Sequence, residues 1–133
     1  MSRNRFIVPG TTRLALSDGD WIEVKSQLTY AENERLKVSG LARKQRPAGL
    51  QGDDPELEFD LGTYNLARLE IWLTDWSFKG ADDRTVVLTK NAIAALDPDT
   101  AAEIHAALDA YLEQREAEKK AMTTPSLSGE PSA

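Results

Sequence analysis

The stretch from Phe59 to Phe78 constrains this chain more than any other, because Leu61, Tyr64, Leu66, Ala67, Leu69, Ile71, Trp72, Leu73 and Trp76 all fall within it. Leu66, Leu69, Leu73 and Trp76 follow three- and four-residue steps, the spacing of one helix face. Ile71 and Trp72 widen that stripe until it is apolar around much of the circumference, and such a helix must be covered on two sides. The spacing predicts a core helix over 59–78. Trp72 and Trp76 also belong to a residue type favoured as an interface anchor. Large aromatics are buried more often than exposed, which favours the core for both.

Two neighbouring segments read as cover. Upstream, Leu14 and Leu16 precede Ser17-Asp18-Gly19-Asp20, and Trp21-Ile22-Glu23-Val24 follows, two alternating runs about a turn signal. Asp-Gly supplies the positive φ that a tight hairpin turn requires, and Ile22 and Val24 share one strand face. Phe6 to Val8, stopped by Pro9-Gly10, offers a third short strand. Downstream, Asp97 caps a helix with Pro98 at its first position, where a missing N–H costs nothing. Ala101, Ile104, Leu108, Tyr111 and Leu112 then form an amphipathic stripe opposite Glu103, Asp109, Glu113 and Arg115.

Between these, Thr29 and Glu32 form a capping box that opens a helix read over 30–44, with Leu36, Val38, Leu41 and Ala42 as its apolar face. Arg43-Lys44-Gln45-Arg46 is the densest basic cluster. A functional reading places an acidic partner or nucleic acid there; a solvated helix end, where cations complement the dipole, is favoured over it. Pro47, Gly49, Gly52 and Asp53-Asp54 mark 45–55 as a surface loop. After the turn at Lys79 to Arg84, Thr85 to Leu88 reads as a short strand or extended arm, and Thr89 caps a brief helix through Leu96. Taken together these elements predict an α+β fold. An N-terminal β-hairpin or small antiparallel sheet packs on a mainly helical core of three to four helices. One domain spans 1–120, and the polar residues 121–133 form a disordered tail.

Composition narrows the function. The chain has 133 residues, enough for one core without disulfides or a structural metal. It lacks cysteine, which removes thiol catalysis and cysteine-containing zinc patterns. Met1 to Gly10 carries Arg3 and Arg5 but only a three-residue apolar run, which is no signal-peptide core, and Arg68, Glu70 and Asp75 interrupt the apolar segment before it reaches membrane-span length. The expectation is a soluble protein. A net charge of −6 argues against general nucleic-acid binding. The charge is polarised, near +4 over residues 1–50 and −10 over 51–133, an arrangement that favours head-to-tail self-association or simply a solvated surface.

Catalytic patterns are absent. His105 is the single histidine, and no nucleophile elbow, Walker loop or dinucleotide turn accompanies it. Asp97, Asp99 and Glu103 gather at a helix start, and Asp18, Asp20 and Glu23 surround the hairpin turn; both sets have structural explanations as well as the chemistry to suit a divalent cation. The expectation is a non-enzyme without catalytic, cofactor or metal residues. Candidate partner contacts are Leu41, Arg43, Lys44, Trp72, Trp76, Ile104, Leu108 and Tyr111.

The order of features resembles the tail assembly chaperones of long-tailed bacteriophages. It is carried by Leu16 to Val24, Leu28-Thr29 opening a helix, Leu73-Thr74-Asp75-Trp76-Ser77, Val87-Leu88-Thr89 and Ala94-Ala95-Leu96-Asp97-Pro98, over about residues 5–120. The resemblance implies a protein that coats the helical tape-measure protein in the host cytoplasm until tail-tube subunits replace it, with no cofactor and no membrane. It further implies that a frameshift near Lys119-Lys120 can append a second domain. The other expectations are a structural virion component, such as a neck or minor tail protein using the hairpin for strand addition in a ring, or a soluble adaptor unrelated to phages.

Overall fold

The computed structural model describes residues 5–43 and 57–123. Strands β1 (Thr11–Ala15) and β2 (Trp21–Lys25) pair antiparallel around one 3₁₀ turn, Ser17–Gly19. Asp18 and Gly19 both take positive φ, at 58° and 76°, as the Asp-Gly reading requires. Helix α1 (Tyr30–Ser39) leads to β3 (Leu41–Arg43), and β4 (Leu57–Phe59) returns antiparallel to it. Then follow α2 (Leu61–Trp72), β5 (Leu73–Trp76), α3 (Lys90–Ala94) and the long α4 (Pro98–Thr123). The main sheet has the order β1-β2-β5. This is the expected α+β architecture, a small antiparallel sheet on four helices.

Three boundaries differ from the sequence reading. The apolar run over 59–78 is not one helix: Leu73 turns extended, with ψ 132°, and β5 joins β2 by setting Ile22 against Trp76 and Glu23 against Asp75. A bulge between Glu23 and Val24 lets Leu73 and Trp76 both face inward. A three-residue apolar step, ordinarily helical, here belongs to an irregular strand. Edge pairing to β2 and the Trp76 indole, which donates to the Val86 carbonyl at 2.7 Å, outweigh the local helical spacing. The third strand is therefore β5, and Phe6 to Val8 forms none.

Helix α1 stops at Ser39 rather than Lys44, because the chain must turn to pair β3 with β4. Gly40 makes the turn at close quarters: a Cβ there would lie 2.6 Å from Phe59 Cε2 and 3.0 Å from Tyr64 Cβ. Asp60 N–H donates to the Gly40 carbonyl and fixes the crossing. At the far end α4 continues to Thr123, past the expected domain edge at 120. The loop expected over 45–55 and the tail beyond 123 lie outside the described residues.

The helix starts follow the predicted chemistry. Thr29 and Glu32 cap α1 reciprocally, Thr89 Oγ1 accepts from Ala92 N–H at 3.0 Å, and Asp97 accepts from Thr100 N–H at 2.8 Å. Asp60 caps α2 in the same way, accepting from Thr63 N–H at 3.1 Å. The core lies between the main sheet and the helices. Ile22, Val24, Trp76, Ile104 and Leu108 are its most enclosed side chains, with Leu36, Leu69, Trp72, Leu73 and Ile93 around them.

Candidate functional site

A concavity among the described residues lies beside a polar junction between α2 and α4. Arg68 on α2 reaches α4 through Asp109 (Nη2 to Oδ1, 2.6 Å) and His105 (Nη1 to Nδ1, 3.2 Å). Residues of α2, α4, the start of α1 and the N-terminal arm line an open trough of about 950 Å³ beside that junction. Its lining mixes apolar side chains, Leu36, Tyr64, Trp72 and Leu112, with the cations Arg5, Arg68 and Arg115. Glu116 and Glu118 stand on the same wall.

The cations are held rather than loose. Arg115 Nη1 donates to the Ser26 carbonyl at 2.5 Å, and Tyr111 Oη donates to the same oxygen at 2.8 Å. That shared acceptor pins the middle of α4 to the end of β2. Glu32, beneath the α1 start, is bonded by Lys25 and by Thr29, and the Lys25 ammonium leads the effects that hold its carboxyl below the usual range. Tyr30 projects from the same helix end and is 80% exposed. It offers an aromatic face beside the apolar floor.

His105 is half-buried, and desolvation lowers its pKa, with the Arg68 charge acting in the same direction and Asp109 against it. The neutral imidazole accepts from Arg68 at Nδ1. Among the described residues no serine or threonine hydroxyl bonds to it, so its recorded work is to orient a guanidinium. No group of three or more histidine or acidic residues among those described is arranged to hold a metal ion. No helix of the described residues is long and apolar enough to cross a membrane.

The expected partner residues separate into three kinds. Trp72, Trp76, Ile104 and Leu108 are enclosed, Trp76 at 2% exposure and Ile104 and Leu108 at 0%. They build the core; a partner reaches Trp76, Ile104 and Leu108 only if the domain opens, whereas Trp72, though enclosed, also lines the trough. Tyr111 is half-buried and its hydroxyl is engaged with Ser26, with Thr12 Oγ1 also 3.4 Å away. Leu41 sits on β3 at 48% exposure, next to Phe59 at 53% and close to α1 and α2, so this corner is an apolar surface. Arg43 ends β3, and Lys44 lies outside the described residues.

The trough draws on residues that the sequence reading did not single out, namely Arg5, Tyr30, Tyr64, Arg68 and Arg115. The signal was present in part: Tyr64, Arg68 and Trp72 are spaced i, i+4, i+8 on α2, and Leu112, Arg115 and Lys119 are three and four apart on α4. What the sequence lacked was the angle between the two helices. Comparison with family models, with curated protein sequences and with solved structures finds no match.

Proposed function

We propose that this chain is a non-enzymatic assembly chaperone, of the phage tail type, that holds an amphipathic helix of a tape-measure protein. The trough beside α2 and α4 carries the reading: a lining that combines apolar residues with the cations Arg5, Arg68 and Arg115 suits a third helix with an apolar stripe and acidic flanks. Contact of this modest and partly polar kind allows release, which a transient coat requires. The sequence resemblance points the same way.

The test is co-expression with a helical fragment of a tape-measure protein. The wild-type chain raises the soluble fraction of the fragment, and Tyr30→Glu reduces that effect without changing the melting temperature, because Tyr30 is exposed in the free protein. Equal solubilisation by both would remove the trough from the function. A second reading, a structural virion component, draws on the unpaired outer edge of β1 described below. Mass spectrometry separates the two: a chaperone is abundant in infected-cell lysate and absent from mature particles, whereas a structural component is retained at fixed copy number.

A further inference from the structure

The two edges of the main sheet are not alike. In the β1–β2 ladder, Ser26 N–H donates to the Gly10 carbonyl and Leu16 N–H to the Asp20 carbonyl, in register with Thr12 opposite Val24 and Leu14 opposite Ile22. Antiparallel pairs alternate between bonded and unbonded residues. The backbone groups of Thr12 and Leu14 therefore face β2, and those of Thr11, Arg13 and Ala15 face outward. The outward groups of these three residues have no hydrogen-bond partner among the described residues.

The β5 edge is closed by contrast. Trp76 N–H, which points away from β2, donates to the Asp75 carboxylate at 2.9 Å. Beyond it Val86 N–H donates to the Phe78 carbonyl at 2.9 Å, Lys79 bridges Thr85, and the Trp76 indole holds the Val86 carbonyl. A side-chain cap and a strap of chain protect one edge. An exposed strand edge is ordinarily blunted in such ways.

We propose that the β1 edge receives an extended acidic segment of a different protein as a fourth strand. The choice of occupant follows from Arg13. Its guanidinium lies 3.6 Å over the Trp21 ring and 3.7 Å from Glu23, with its side chain 58% exposed on the outer face. Paired with β1 of a second copy, Arg13 stands directly opposite its own mate, or diagonal to it at about 7–8 Å when the register shifts by two. Each arrangement sets like charges together. Docking β1 on the β5 edge of a second copy meets the Asp75 cap and the strap. A foreign strand with a carboxylate beside Arg13 meets neither obstacle. Its alternate side chains, on the inner face, extend the half-buried Leu14 and Leu16, so the segment reads as alternating apolar and polar residues with one acid. This inference stands apart from the trough and survives or fails without it.

Amide exchange on the full-length chain, followed by NMR, tests it with a blocked seven-residue peptide of sequence Val-Thr-Val-Glu-Val-Thr-Val. In the free protein the amides of Thr11, Arg13 and Ala15 exchange fast and those of Thr12 and Leu14 slowly. At peptide concentrations about nine times Kd, exchange at the three fast amides slows about tenfold, as bound fraction dictates. The same peptide with Lys for Glu gives no such protection, and neither does Arg13→Glu with the original peptide. Arg13→Gln keeps weakened protection, which separates loss of the cation from loss of the fold. Slow exchange at Thr11, Arg13 and Ala15 without peptide, equal protection by the Lys peptide, or protection confined to the trough overturns the proposal.

Discussion

Among the described residues are two antiparallel sheets whose fates differ. In β1-β2-β5 the inward residues of the central strand are sealed: Ile22 and Val24 are 0% exposed and share one core with Ile104 and Leu108 of α4. In β3-β4 the paired residues Leu41 and Phe59 remain about half exposed, and the hairpin leans on Gly40 and Tyr64 at the edge of the body. The decisive factor is the helix laid across the first sheet, since a two-stranded ribbon without such cover is marginal in water. The first sheet carries the fold, and the second supplies apolar surface.

The largest expected effect comes from breaking the first sheet at its outer strand. Trp76→Asp puts a carboxylate where an indole is enclosed and bonded to the Val86 carbonyl. An unpaired buried charge together with the lost ring volume costs more than about 4 kcal/mol, and the chain unfolds at room temperature. Far-ultraviolet circular dichroism decides this, and a native spectrum with an unchanged melting temperature would falsify the core assignment of β5. One step down, Ile104→Ala removes a fully enclosed side chain from the helix that seals the sheet. The expected loss is roughly 3 kcal/mol in urea unfolding, from lost burial and the cavity left behind. A loss below about 1 kcal/mol would mean that α4 does not seal the sheet.

These two positions also mark how far the sequence could be read. The hairpin about Asp18-Gly19 was legible because turn chemistry and strand alternation agree there. The starts of α1, α3 and α4 were legible because caps are local. Trp76 was expected in the core and lies there, but on a strand instead of a helix. Leu73 and Trp76 keep helical spacing, and only the extra residue between them, Thr74, where β5 slips register against Glu23 and Val24, turns that spacing into a strand face. The second sheet was invisible for a related reason. Leu41 continues the apolar rhythm of α1, and its strand partner lies across a long stretch of sequence, so no local pattern announces β3. The trough was least legible of all, being assembled from α1, α2, α4 and the N-terminal arm, segments far apart in sequence.

Acid acts on the fold in two stages. His105, at the junction of α2 and α4, has a folded pKa below its ordinary 6.5. Below 6.5 the unfolded chain takes up a proton that the folded chain resists, so stability falls as pH drops from 6.5 toward the folded value. The caps Glu32 and Asp60, on the helices that flank the second sheet, are held below ordinary values of 4.5 and 3.8 by hydrogen bonds, to Lys25 first and to Thr63 first respectively. Their contribution is complete above those ordinary values and is lost as pH falls through the depressed ones. A melting-temperature profile should therefore decline in two stages. His105→Gln removes the upper stage and leaves the lower one; a profile flat between 6.5 and 4.5 in the wild-type chain contradicts the half-buried neutral imidazole.

The smallest effect sharpens the comparison most. Phe59 pairs with Leu41 across the second sheet, its ring lies 5.5 Å from Tyr64, and about half of it faces solvent. A fully buried phenylalanine cut to alanine costs about 3–5 kcal/mol. Here little enclosed volume is lost and the ring contact with Tyr64 contributes about 1 kcal/mol, so Phe59→Ala should cost about that much in urea unfolding. The slope of the transition should stay unchanged, because the surface exposed on unfolding hardly alters. If the cost instead reaches 3 kcal/mol, β3-β4 is part of the core and its apolar face is not an independent surface. If it is near zero while Ile104→Ala costs several kcal/mol, the second sheet is held by the first and adds little of its own, as expected of a hairpin kept for what it displays.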